Sequence, residues 1–286
     1  MMSTGLNTME PIDYLVVGHV TQDITPTGLM MGGTVTYAAL TARALGCKVG
    51  IVSSAREDIN LSPLDGIPIH IVPAESSTTF KNTPTPSGRQ QYLYHTAKTL
   101  TVGDIPAHWL SAPIIHIGPV AQEVSVELVE SLPSAFIGLT PQGWMRQWDA
   151  NGRVTPGPWK DSGRSLAKAS ATILSIEDVQ GDEGVIAEMI DKVPILVVTE
   201  ANYGARLYWN GDYRHFSPPE EVEVDATGAG DIFAASFFIR MSETHDPWES
   251  ARFATLIASR SITRVGLRST PTPDEVAASR ISITGI

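Results

Sequence analysis

Short apolar runs alternate with amphipathic helical stretches along most of this 286-residue chain. The run Tyr14–Val17 is free of polar residues and ends at Gly18, the pattern of a strand buried on both faces. Thr34–Leu45 has helical spacing and is closed on its C-terminal side by Gly46. Further strands are predicted at Val49–Val52, Ile67–Val72, Ile114–Ile117, Ala135–Leu139, Ala171–Leu174 and Ile195–Thr199. Helical patterns at Val124–Ser131 and Glu183–Asp191 fall between them. This alternation predicts βαβ units and a mainly parallel sheet. Asn151-Gly152 and Asn210-Gly211 are hairpin-turn pairs. Towards the C-terminus, the alternating Glu221–Val224 predicts a strand edge, and helices follow over Ile232–Met241 and Trp248–Thr263.

One region breaks the rhythm. Between Thr78 and Thr101, two runs that alternate polar and aromatic residues flank the turn Pro84-Thr85-Pro86-Ser87-Gly88. They predict an antiparallel hairpin with one solvated face, either a sheet-edge hairpin or a flap over the carboxyl end of the sheet, where α/β proteins bind ligands.

Composition narrows the partners. Hydrophobic residues make up 42% and charged residues 18%, ordinary for a globular protein that buries a large core. A formal charge of −11 argues against a nucleic-acid partner, which calls for clustered positive charge. The single Cys47 rules out an intrachain disulfide and fits a reducing compartment, so the cytoplasm is the expected location. Cys47 lies in an apolar stretch and reads as buried filler. No apolar run approaches a membrane span, and Met1 to Glu10 is polar and small, so residues 1–11 are expected to form a disordered leader ahead of a single domain over 12–286. The seven histidines show no metal-ligand spacing.

The strongest chemical signal is Asp225-Ala226-Thr227-Gly228-Ala229-Gly230-Asp231. A glycine-rich turn entering a helix presents free backbone N–H groups at the positive end of the helix dipole, an anion site. Gly228 and Gly230 let that backbone approach a bulky anion closely. Asp231 sits at the same helix start, where the dipole favours its ionised form. A base beside a phosphate cradle suits phosphoryl transfer to a hydroxyl. On shape alone, the same segment also reads as a packing turn with Asp231 as a helix cap.

This segment resembles the second signature of the ribokinase-like (PfkB) carbohydrate kinases, and the resemblance extends over most of residues 12–275. It implies an α/β three-layer sandwich with a mainly parallel central sheet and a small β lid, here from segments near 19–31 and 78–103. In that family the lid covers the substrate and often dimerises, which implies a homodimer. The resemblance makes Asp231 the catalytic base and the amides of Thr227, Gly228, Ala229 and Gly230 the anion hole. Asp23, five positions after Gly18, looks like the acid that binds substrate hydroxyls, a role suited to a charged acceptor of hydrogen bonds. Gly32-Gly33 looks like the first family signature, and Gln142 with Arg146 like the loop that approaches the substrate. Ser175 and Asp178 stand where the family has Asn-x-x-Glu, tied to magnesium and phosphate. Thr199 and Gly204 match a phosphate or ribose motif, and Thr255 falls on the helix that walls the adenine. The implied cofactors are ATP and Mg2+.

The chain also departs from the pattern. Thr36 and Tyr37 follow Gly32-Gly33 where an Asn is usual, so hydroxyls replace an amide at a different reach. That turns expectation from ribose or fructose phosphate towards another sugar or polyol, such as the cyclitol myo-inositol, or a nucleoside. A non-catalytic sugar- or nucleotide-binding relative is the alternative. A dinucleotide-dependent oxidoreductase needs G-x-G-x-x-G after the first strand, and Gly18 stands alone there. Taken by themselves, Asp23 also reads as a solvent-facing loop acid, Arg146 as a partner for Trp144 or Trp148, and Asp178 as a helix N-terminal charge.

Overall fold

Successive residues of the first strand enter different cores: Tyr14 and Val16 pack in one, Leu15 and Val17 in the other, and all four are fully buried. This is why the run carries no polar position. The computed structural model describes residues 10–85 and 88–280, so most of the expected leader over residues 1–11 lies outside the described residues. The chain proceeds through β1 (Tyr14–Val17), β2 (Thr21–Thr25), β3 (Gly28–Gly32), α1 (Thr34–Ala44), β4 (Val49–Ala55) and β5 (Ile69–Pro73). Next come β6 (Thr79–Thr85), β7 (Gly88–His95), β8 (Ile114–Ile117), α2 (Val126–Ser131), β9 (Phe136–Leu139), β10 (Arg146–Trp148) and β11 (Val154–Pro156). Then follow α3 (Ser162–Lys168), β12 (Ala171–Ser175), α4 (Glu183–Ile190), β13 (Ile195–Thr199), β14 (Ala205–Trp209) and β15 (Asp212–Phe216). Three helices close the described chain: α5 (Ala229–Thr244), α6 (Pro247–Ser261) and α7 (Pro273–Arg280).

Nine strands form one sheet in the order β15-β14-β13-β12-β9-β8-β1-β4-β5. The seven strands from β13 to β5 pair in parallel, and β14 and β15 add an antiparallel edge through the Asn210-Gly211 turn. One core takes residues of α1, α5, α6 and α7, and the other takes residues of α2, α3 and α4, which makes three layers. The chain leaves β1 towards β4 on one side, while β8 joins the other, so a topological switch point opens beside β1.

A four-stranded sheet, β3-β2-β6-β7, covers that opening. It is the lid anticipated from the two segments, with the Pro/Gly hairpin as β6–β7; the tip at residues 86–87 lies outside the described residues. The Asn151-Gly152 turn joins β10 to β11, and Arg153 bridges to Tyr92, tying this small hairpin to the lid.

Two expectations are corrected. Glu221–Val224 is not a strand: it pairs with no strand, and Val222 and Val224 are 80% and 57% exposed. Its alternation tracks a different boundary, because Glu221 and Glu223 line the cavity described below while the valines face outwards. The N–H groups of Val224 and Asp225 both donate to the carbonyl of Ile262, at 2.8 and 3.0 Å. Cys47 is half-buried rather than fully buried, although burial still pushes its thiol up to about 11, far from a reactive thiolate.

Candidate active site

The C-terminal ends of β1, β8, β9, β12 and β13, the lid and the start of α5 surround a cavity of about 1030 Å³. Its floor is the turn into α5. Gly228 caps that helix with φ +82°, a left-handed conformation that favours glycine. The helix itself is seated by another glycine, since a Cβ on Gly138 of β9 would come within 2.5 Å of the Phe238 ring. Large rings and small residues such as Ala234, Ala235 and Ser236 let α5 lie buried against the sheet.

At the floor, the Thr227 N–H donates to Asp225 Oδ1 at 2.9 Å, and the Ala229 N–H donates to the Ala226 carbonyl at 3.2 Å. Two of the four expected anion-hole amides are thus spent on shaping the turn. Among the described residues, the N–H groups of Gly228 and Gly230 find no such acceptor, and both residues line the cavity. A Cβ on Gly230 would meet nothing within 4 Å, so its backbone faces open space. Asp231, half-buried in the first turn of α5, lines the cavity beside them. An anion held by these amides would lie within reach of that carboxylate, the pairing that phosphoryl transfer to a hydroxyl uses.

Asp225 supports the floor from behind, because its other oxygen accepts the Gly266 N–H at 2.9 Å. Tyr37 of α1 closes one side. Burial, with the charges of Asp231, Asp225 and Asp23 behind it, holds the Tyr37 phenol well above its ordinary range, so its hydroxyl remains protonated.

The lid side of the cavity carries Thr21, Asp23, Phe80, Asn82 and Gln91. Asn82 Nδ2 donates to Asp23 Oδ1 at 3.3 Å, and Gln91 Nε2 donates to Asn82 Oδ1 at 2.9 Å. Arg146 reaches the same region, with its guanidinium 5.7 Å from the centre of the Phe80 ring and one N–H donating to the Val120 carbonyl at 3.0 Å. Trp144 stacks instead on Trp159, with ring centres 5.3 Å apart. Gln142 also lines the cavity and links to Asp178 at 3.4 Å.

The opposite end is lined by Ser175, Asp178, Thr199, Gly204, Thr255, Ala258 and Ile262, with Pro218 to Glu221 along its rim. Burial pushes Asp178 above the ordinary carboxylate range, opposed by the Ser175 N–H, Arg146 and Gln142. Asp178 and Glu177 supply hard oxygen donors at the cavity wall. No group of three or more metal-ligating side chains occurs among the described residues. One or two carboxylates fit magnesium that arrives with phosphate and keeps most of its waters.

The model of the pfkB family carbohydrate kinases matches residues 169–275. Inositol 3-kinase of Zea mays is 35% identical over 72 residues, which span 25% of this chain but only 19% of the maize enzyme. Cytidine kinase of Thermococcus kodakarensis is 25% identical, over 79% of this chain and 87% of its own. Among solved structures, a pyrophosphate-dependent kinase of the ribokinase family, complexed with a pyrophosphate analogue and myo-inositol, superposes with a TM-score of 0.79 at 18% identity, covering 93% of this chain and 99% of that one. Arabidopsis thaliana ribokinase with ribose and ATP superposes with a TM-score of 0.72 at 16% identity, covering 96% and 100%. Residues 169–275 thus carry the pfkB carbohydrate-kinase signature, and the chain as a whole has the ribokinase-like fold.

Within this ribokinase-like frame, all but two of the residues singled out from sequence line the one cavity. The exceptions are Gly32 and Thr36. Thr36 is fully buried and its hydroxyl donates to the Gly32 carbonyl at 2.7 Å, so it braces the start of α1 instead of facing a ligand. Gly32 lies under the Asp23 carboxylate, where a Cβ would come within 2.3 Å of Oδ2. The next helix position, Tyr37, is the one that lines the cavity. Asn82, Gln91 and Phe80 were not recognised in the sequence, although the alternation of the hairpin marks them as sharing one face. Two buried histidines are structural: His19 bonds to Thr78 and the Lys98 carbonyl, His116 to Tyr14 and Thr140.

Proposed function

We propose that this protein transfers the γ-phosphoryl group of ATP to a hydroxyl of a small sugar or polyol, with a cyclitol such as myo-inositol as the leading class and a nucleoside as the second. The observation that carries this reading is the placement of Asp231 beside the Gly228 and Gly230 amides, in a cavity that also takes in Asp23 of the lid and Thr255 of α6. Asp231 would take the proton of the acceptor hydroxyl as its oxygen attacks the γ-phosphorus and the bond to the ADP oxygen breaks. The glycine amides would hold the transferring group, and Asp23 with Arg146 would grip the acceptor. Magnesium, bound with the nucleotide near Asp178, would offset phosphate charge.

The end lined by Thr255, Ala258, Ile262 and Pro218 offers apolar walls to a purine, which favours a nucleotide over pyrophosphate as donor. The myo-inositol complex of a structural neighbour and the inositol kinase match support a cyclitol acceptor, and the longer cytidine kinase match supports the nucleoside class. Leu29, Met30 and Tyr94 are exposed on the lid at 61%, 41% and 52%, which supports a homodimer formed there. No helix among the described residues is long and apolar enough to cross a membrane, and we assign the protein to the cytoplasm on its single half-buried thiol. A coupled screen for product release from MgATP, or from pyrophosphate, over cyclitols, pentoses, hexoses and nucleosides tests the reading. ADP release with a polyol or nucleoside supports it. Release of phosphate from pyrophosphate alone would overturn the donor, and no turnover with any acceptor would overturn the kinase.

A further inference from the structure

Asn82 and Gln91 are directly opposed across β6 and β7, and both are half-buried with their side chains on the face that lines the cavity. Phe80 and Asp23 are likewise neighbours across β6 and β2 on that face. The three polar side chains form a chain of hydrogen bonds, Gln91 Nε2 to Asn82 Oδ1 at 2.9 Å and Asn82 Nδ2 to Asp23 Oδ1 at 3.3 Å. Its direction is fixed at one end, because an ionised carboxylate only accepts. Asn82 must therefore turn its NH2 towards Asp23 and its oxygen towards Gln91, and Gln91 must donate. This leaves the second N–H of Asn82 as a donor and Oε1 of Gln91 as an acceptor at the acceptor end of the cavity. Two groups of opposite character, set beyond the acid, can distinguish the orientation of a hydroxyl.

We propose that Asn82 and Gln91 are the specificity-determining residues for the phosphoryl acceptor, which they select as a polyol with at least three contiguous hydroxyls. Asp23 grips a pair of hydroxyls, Asn82 and Gln91 read the orientation of the next one, and Gln91 also positions Asn82. The proposal rests on the acceptor site assigned under the proposed function.

The decisive variant is Gln91→Glu, which conserves shape but reverses the bond. A carboxylate at 91 would turn the Asn82 amide over and set its oxygen against Asp23. Gln91→Glu and Asn82→Ala are compared with the wild type on two pairs that differ at one hydroxyl, myo-inositol and scyllo-inositol, D-ribose and D-arabinose, with cytidine, which lacks three contiguous hydroxyls, as a control. Turnover is followed by ADP release and binding by isothermal titration calorimetry. We expect both variants to lower kcat/KM for the preferred member about tenfold, the scale of one lost hydrogen bond, mainly through KM, and to collapse its preference over its partner. Unchanged melting temperatures would accompany this loss. A Gln91→Glu variant that keeps the wild-type preference in turnover and in binding overturns the proposal. Failure of the kinase reading is seen separately, as a wild type that releases no ADP with any of the five, and the binding preferences then still decide the role of the amides.

Discussion

The ring of Tyr37 lies against Gly228 so closely that a Cβ there would sit 2.3 Å from Cδ1. A helix α1 residue thereby fixes the position of the turn that begins α5, and that turn holds the two amides facing the cavity. Gly228 is required twice, by its φ of +82° and by the ring. Gly228→Ala should destabilise the fold by roughly 1–3 kcal/mol, from overpacking and left-handed strain together, and abolish turnover. Adding Tyr37→Leu should recover part of the stability lost in Gly228→Ala, as read by urea denaturation. Strict additivity of the two substitutions would show that ring and turn are not coupled.

Gly228 caps α5, Asp231 stands in the first turn of that helix, and Asn keeps the size and shape of its side chain. Asp231→Asn should therefore leave the melting temperature and nucleotide binding close to wild type. It should lower kcat by about 10²–10⁴-fold, the range ascribed to a positioned general base. The measurement is steady-state turnover with the best acceptor, beside calorimetric titration with ATP. A variant that turns over normally removes Asp231 from the chemistry.

How far the sequence reveals this arrangement depends on what each signal encodes. Uninterrupted apolar runs such as Tyr14–Val17 encode burial on both faces, so the parallel sheet was legible, as were the turns at Asn151-Gly152 and Asn210-Gly211. The glycine-rich turn also encodes a local property, which placed Asp231 and its neighbours. The lid was legible as a hairpin, but alternation alone does not say which face turns inwards, because a shift of one residue exchanges the faces. Asn82 and Gln91 stayed hidden for that reason. Whether Thr36 or Tyr37 faces the cavity was hidden similarly: adjacent helix positions point about 100° apart, and only the packing of α1 against α5 decides which reaches the cavity. Glu221–Val224 misled because an exposed segment bordering an acidic cavity rim imitates a half-buried strand.

Asp225 joins two separate pieces of chain. One oxygen takes the Thr227 N–H and the other the Gly266 N–H, each at 2.9 Å, so the floor of the cavity is tied to the turn after α6. Asp225→Ala removes both bonds. Hydrogen bonds to a charged acceptor contribute about 1.5–3 kcal/mol each, less what relaxation and water recover. The variant should melt several degrees lower and show a reduced kcat, because the amides that border the turn lose their support. Asp225→Asn retains only one of the two acceptors, so its melting temperature should fall between the wild type and Asp225→Ala. Equal melting temperatures for all three would mean that these bonds add nothing to stability.

His116 offers a test of stability against pH. Its ring is fully buried in the sheet, linked to the Tyr14 hydroxyl at 2.7 Å and to the Thr140 hydroxyl at 2.8 Å. The Phe238 ring meets it edge-on, with centroids 5.0 Å apart. Burial lowers its pKa from 6.5 to about 3, so the folded protein holds the neutral ring while an unfolded chain takes up a proton near its ordinary value. A depressed folded value means that this group's contribution is complete above the unfolded pKa and is lost as pH falls towards the folded one. Between these limits the loss should approach about 1.4 kcal/mol per pH unit for one proton. His116→Gln should be less stable than the wild type at pH 7.5, because the ring's packing is lost. Between pH 6 and 4 its stability should decline less steeply, by up to about one proton's worth of slope. Urea denaturation at half-unit steps of pH measures both slopes, and parallel curves for wild type and variant would show that His116 carries a proton in the folded protein after all.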